Sequence, residues 1–177
     1  METIVATSLK QPHSLLGIWD LYFHLPDDKR WDIQSYNIIA RDIDTAERAI
    51  QINETIPEKV VKYCMLFIMR KGVTPMWEDP ANCNGGCFSF KVSNKVVRDV
   101  WKDLFYAACG ETLFLNKSHN KLLTGITISP KRNFCVIKVW IGDCSIQDPN
   151  TMIDIPTLSK GGCLFKRHSS ASNFVKR

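Results

Sequence analysis

Between Asn94 and Cys109 the apolar residues Val96, Val97, Val100, Trp101, Leu104, Phe105 and Ala108 recur at the three-and-four spacing of one helix face. Lys95, Arg98, Asp99, Lys102 and Asp103 fall off that stripe, and Gly110 supplies the stop. A helix striped in this way must bury one side against a broad apolar surface. Short β-preferring runs elsewhere in the chain offer that surface. Trp19–Phe23 reads as a strand followed by a turn at Pro26-Asp27-Asp28, and Trp31–Ala40 as a second extended stretch. Val60–Met69, ended by Arg70-Lys71-Gly72, reads as a central strand, and Cys87–Val92 as another. Lys121–Ser129 and Asn133–Ile141 read as paired strands around Pro130-Lys131-Arg132. A further helix starts at Asp44-Thr45-Ala46-Glu47, where Asp44 can accept from first-turn amides and Glu47 can reach back. Beyond Gly142, Pro149, Pro156 and Gly161-Gly162 discourage a long helix. These elements predict an α+β fold: a curved antiparallel β-sheet with helices packed on its convex face and a concave face open to a ligand.

A length of 177 residues fits one domain that buries its own core. The reading is a flexible segment over 1–12 and a single domain over 13–177, with nothing that demands a dimer. Met1–Pro12 lacks a basic stretch leading into an apolar run, so no secretory signal is read there. No window approaches the ~18 apolar residues of a membrane span, and a cytoplasmic location is expected. The seven cysteines are an odd number, which suits reduced thiols better than a disulfide framework. Cys83 and Cys87 could pass for half a zinc site, but no second close pair completes it. No metal and no cofactor is expected. Residues 1–88 carry a net charge of −3 and residues 89–177 one of +8, so the basic half is the one suited to an anion.

Five tryptophans divide by context. Trp101 lies on the helix stripe and Trp19 in an aromatic strand, so both read as core. Trp31 follows the polar run Asp27-Asp28-Lys29-Arg30, and Trp77 sits with Glu78 in a loop bounded by Pro75 and Pro80. Two exposed indoles beside a fixed carboxylate suit a methylated guanine, whose delocalised positive charge strengthens stacking. Stacking a base contributes about 1–3 kcal/mol, and cation–π attraction adds about 0.5–2 kcal/mol when water is excluded. A carboxylate accepts from both the ring N–H and the exocyclic amine of guanine, a paired contact that adenine lacks. Phosphates on such a ligand require Lys or Arg and make binding salt-dependent.

Gly72-Val73-Thr74-Pro75-Met76-Trp77-Glu78-Asp79-Pro80, followed by Gly85-Gly86, resembles the eukaryotic translation initiation factor 4E family, in which a PMWED loop and a trailing Gly-Gly are hallmarks. His13–Phe23, Trp31, Asp44-Thr45-x-Glu47, Trp101–Glu111 and Gly125–Trp140 agree with that family in order and spacing. The resemblance implies binding of the 7-methylguanosine cap of mRNA in translation initiation. It makes Trp31 and Trp77 the stacking pair and Glu78 the reader of the guanine edge, with the Trp77 amide donating to the guanine carbonyl. Trp140 lies against the methyl group, and Lys131 stands where the family has an arginine on the cap phosphates.

The family's second phosphate-binding lysine aligns with Val136, so Lys138 and Arg132 become substitute candidates. Lys166-Arg167-His168-Ser169-Ser170 resembles a flexible loop that touches nucleotides beyond the cap, although the segment before it is too interrupted for the family's last helix. The partner surface maps to His13, Ala46, Ile50, Lys102, Asp103 and Tyr106. There Ile50 replaces a tryptophan, Ala46 a valine, and Lys102 and Tyr106 leucines. These changes put binding of a 4G-like scaffold in question and leave room for a lineage-specific partner. Such divergence suits an unusual lineage, a protist or a large DNA virus, and in a viral setting the location would be the host cytoplasm. Two rival readings stand beside initiation. One is a cap-binding repressor or decoy; the other is a cap- or nucleotide-modifying enzyme. Against the enzyme, no P-loop, HExxH or GxSxG motif occurs, and His13, His24, His119 and His168 have no evident nucleophile partner.

Overall fold

The computed structural model describes residues 11–168. Seven strands form one sheet: β1 (Ser14–His24), β2 (Tyr36–Thr45), β3 (Met65–Arg70), β4 (Gly86–Ser93), β5 (Leu123–Pro130), β6 (Phe134–Ile141) and β7 (Leu164–Arg167). Their spatial order is β2-β1-β3-β5-β6-β4-β7, and every pairing is antiparallel. The helices are α1 (Ala46–Thr55), α2 (Glu58–Tyr63) and α3 (Val97–Cys109). The fold is thus the expected curved sheet with helices on one face. Of the segment 1–12, only Gln11 and Pro12 fall within the described residues.

Strand parity divides the two faces. On β6, Cys135, Ile137, Val139 and Ile141 are buried in the core shared with α3, whereas Val136 and Lys138 are only half-buried. The stripe of α3 closes that core: Val97, Val100, Trp101, Leu104, Phe105 and Ala108 are fully buried. Gly110 follows as the C-cap, its amide donating to the Tyr106 carbonyl at 2.8 Å.

Four local expectations need correction. Val60–Met69 is not one strand: residues up to Tyr63 belong to α2, entered from Pro57 and reinforced by the Lys62–Glu58 ion pair. Residues 31–35 are not extended, because the Asp32 side chain caps a 3-10 turn over Ile33–Ser35 before β2 begins. Thr45, not Asp44, caps α1 by accepting from the Arg48 amide, and Glu47 turns away to the amide and ring of His13. Lys166 and Arg167 are not in a flexible loop. They lie in β7, in register with Cys87 and Gly86 of β4, and Ser169 and Ser170 fall outside the described residues.

Arg70 ties the far end of the sheet together. Its guanidinium donates to the Leu123 carbonyl (2.6 Å), the Asn120 carbonyl (2.7 Å) and the Glu111 carboxylate (2.8 Å). It also lies 4.7 Å from the Trp19 ring centroid. Gly17 leaves the room for it, since a Cβ there would come within 2.5 Å of the guanidinium. Removing the arginine would strand Glu111 and two carbonyls with little water to replace it. Arg70→Ala is therefore expected to lower unfolding stability by about 3–5 kcal/mol in denaturant titration. Lys62→Ala, which breaks a solvent-screened surface pair, should lower it far less.

Candidate functional site

On the face opposite the helices, a cleft of about 240 Å³ is lined by Trp31, Tyr36, Met65, Phe67, Pro75, Met76, Trp77, Glu78, Thr127, Ser129, Lys138 and Trp140. The sheet floor follows from register: Tyr22, Phe67, Thr127, Lys138 and Ser89 succeed one another across five strands. Two loops supply the aromatic walls. Trp31 comes from the β1–β2 connection and is 54% exposed, while Trp77 comes from the β3–β4 connection and is half-buried.

The Trp77 loop is held by side chains that the sequence reading did not single out. Asp79 accepts from the Thr74 amide (2.8 Å), the Thr74 hydroxyl (2.7 Å) and the Ala81 amide (2.8 Å). Burial raises the Asp79 carboxyl pKa, but these donors outweigh it and hold the group below the ordinary value. Asn82, fully buried, donates to the carbonyls of Thr74 and Met76 at 3.2 and 2.8 Å. Among the described residues neither the Trp77 amide nor the Glu78 carboxylate has a hydrogen-bond partner. The loop therefore spends Asp79 and Asn82 on its own shape and leaves a donor and an acceptor side by side at the cleft.

Gly85 and Gly86 serve this loop through close approach. A Cβ on Gly85 would lie 1.8 Å from the Ile141 carbonyl oxygen, and one on Gly86 would meet the Phe165 ring at 2.6 Å. Only glycine lets β4 pass between β6 and β7 at this point.

Trp140 forms part of the cleft floor. Its ring is nearly buried, and its Nε1 donates to the Thr127 hydroxyl at 3.2 Å. Tyr36 packs edge-on against Trp31 and Phe67. Burial, then the charges of Glu78 and Asp32, push its phenol up to about 12, so it stays neutral at the mouth.

The candidate cations separate. Lys138 lines the first cleft and also an adjoining one of about 250 Å³, shared with Trp77, Cys87, Trp140, Lys166, Arg167 and His168. Lys131 and Arg132 sit exposed at the β5–β6 turn and line neither. His168 packs with its ring 4.8 Å from Trp140 and its Nδ1 2.7 Å from the Asn82 carbonyl. Burial lowers its pKa.

The residues assigned to a partner surface gather on the opposite, helical side. His13 meets Glu47 at 2.6 Å, Ala46 opens α1, and Ile50 is 51% exposed. Lys102 and Tyr106 of α3 converge on Glu54 of α1 at 2.5 and 2.9 Å, with Asp103 half-buried beside them. Glu54 was not anticipated, because only the packing of α1 against α3 brings it there. Among the described residues no helix is long and apolar enough to cross a membrane, and no His/Cys/Asp/Glu group is arranged to hold a metal.

The family model for eukaryotic initiation factor 4E matches residues 14–169. Initiation factor 4E-2 of Schizosaccharomyces pombe is 30% identical over 149 residues, 80% of this chain and 59% of its own. A 4E homolog of Acanthamoeba polyphaga mimivirus is 48% identical over 63 residues, 36% of this chain and 23% of its own. The chain thus spans less than two thirds of the length of either relative. Among solved structures, initiation factor 4E-3 of C. elegans, in complex with the 4E-binding protein Mextli and a cap analog, shares the fold with a TM-score of 0.69 at 21% identity. That match covers 79% of this chain and 80% of the other. Schistosome initiation factor 4E complexed with m7GpppG and 4E-BP gives 0.68 at 22% identity, covering 78% and 77%. With the family model matched from the first strand to the last, the chain belongs to the eukaryotic initiation factor 4E family.

Proposed function

We propose that this chain binds the 7-methylguanosine 5′ cap of mRNA in its concave cleft and acts in translation initiation in the cytoplasm, as a binder and not an enzyme. The observation that carries the reading is the meeting of Trp31, Trp77 and Glu78 around one cleft with Lys138 and Trp140. Membership of the 4E family and the cap analog in a structure of the same fold support it. The methylated base would enter between the indoles of Trp31 and Trp77, which favour its positive charge. Glu78 would accept from the guanine ring N–H and amine, while the Trp77 amide donates to the guanine carbonyl. Lys138 would take the first phosphate. The adjoining basic cleft with Lys166, Arg167 and His168 would take the later phosphates and the next nucleotide, and Lys131 and Arg132 would act from the rim.

The helical face favours a second reading on one observation. Lys102 and Tyr106 are tied to Glu54, and exposed Ile50 stands where the family has a tryptophan. Aromatic anchors usually dominate such interfaces. A repressor or decoy that occupies the cap without recruiting a 4G-like scaffold would carry such a face, as would a factor with a lineage-specific partner. Pull-down from a translating extract separates them: recovery of the scaffold supports initiation, and its absence supports sequestration.

Trp77→Ala is expected to weaken 7-methyl-GTP binding by about 1–3 kcal/mol in a fluorescence titration. Glu78→Ala should erode the preference for the guanine over the adenine nucleotide. Full affinity in both variants would refute the site. Lys138→Ala should weaken binding and flatten its dependence on salt, with Lys131→Ala changing the slope less because its side chain starts outside the cleft. Equal slopes for wild type and Lys138→Ala would remove Lys138 from the phosphate path.

A further inference from the structure

We propose that His24 is a positioning residue for Trp31, a buried imidazole that fixes both the connecting loop and the indole it carries. This rests on the reading of Trp31 as one wall of the cap cleft. His24 closes β1 and is fully buried. Its Nδ1 faces the Leu25 carbonyl oxygen at 2.9 Å and its Nε2 the Arg30 carbonyl oxygen at 2.8 Å. Those two carbonyls lie at the two ends of the loop 25–30, so one ring clamps the loop from inside. The next residue, Trp31, lies flat on that ring, with centroids 4.4 Å apart and planes within 4° of parallel. One indole face is thereby covered, and the other remains for a ligand.

Both carbonyls are acceptors, and a neutral imidazole has a single N–H to give. Replacing the imidazole leaves at least one of those oxygens without its partner. Tyr36 meets the His24 ring edge-on at 5.4 Å and stays neutral. An indole stacked on an imidazole has an emission that changes when the ring beneath it is replaced, which gives the pairing an optical signature independent of any ligand.

The ligand-free emission owed to Trp31, taken as the difference from Trp31→Phe, should change in intensity when His24→Phe is introduced. The same Trp31 emission with and without His24→Phe overturns the pairing. With 7-methyl-GTP as probe, His24→Phe keeps a ring to stack on but loses both tethers, and should weaken binding about 5- to 20-fold. In a Trp31→Ala background the same change should cost less than about twofold, since its effect passes through the missing indole. Equal losses in the two backgrounds, or no loss in either, overturn the proposal. His24→Gln keeps one donor and should fall between, and thermal unfolding of each variant separates misfolding from misplacement. If the wild type fails to bind 7-methyl-GTP, the cap reading falls, and the ligand-free emission still decides the His24–Trp31 pairing.

Discussion

Alternation along the strands is the constraint on which the molecule depends. Once α1 and α3 seal one face of the sheet, every second residue of β1, β3, β5 and β6 is committed to the core, and its neighbours must face the other way. Ile137, Val139 and Ile141 stay buried under the helices, which obliges Lys138 and Trp140 to share the opposite side. The site is therefore made by the same register that makes the core. A one-residue slip of β6 would exchange a lysine and a tryptophan for isoleucine and valine in the cleft.

Upon that floor the two loops do different work. The β3–β4 loop is rigid by hydrogen bonding: Asp79 and Asn82 satisfy its backbone from within, and the glycines behind it permit β4 to close up against β6 and β7. The β1–β2 loop makes its own turns at Asp28 and Asp32 and is tied at residues 25 and 30 to one buried imidazole. Pre-set walls matter because an exposed aromatic side chain must otherwise lose rotamer freedom when a ligand orders it. The helical face differs, with an exposed network around Glu54 that contributes little to stability.

Much of this was legible in the sequence where a pattern had a period or a motif. The stripe of α3, its stop at Gly110, the β5–β6 pair and the loop from Gly72 to Gly86 all announced themselves. Val60–Met69 did not, because a continuous apolar run has no period to separate strand from helix; Pro57 and the Glu58/Lys62 spacing were the signals that would have split it. Thr45 and Asp44 are both good caps, and sequence alone cannot choose between adjacent ones. β7 is four residues at the sheet edge, too short to show alternation, so its residues read as loop. Glu54 acts through contacts some fifty residues away, and His24 through a ring set between two carbonyls, neither of which a local pattern encodes; Asp79 bonds only near neighbours, Thr74 and Ala81, and lay within reach as an Asx-type turn residue.

The most direct measurement is a tryptophan fluorescence titration of the full chain with 7-methyl-GTP and GTP side by side. Strong quenching by the methylated nucleotide, with markedly weaker response to GTP, is the expected result, because only the methylated base brings a positive charge between Trp31 and Trp77. Equal responses, or none, would contradict the account and leave the PMWED loop without a cap to read.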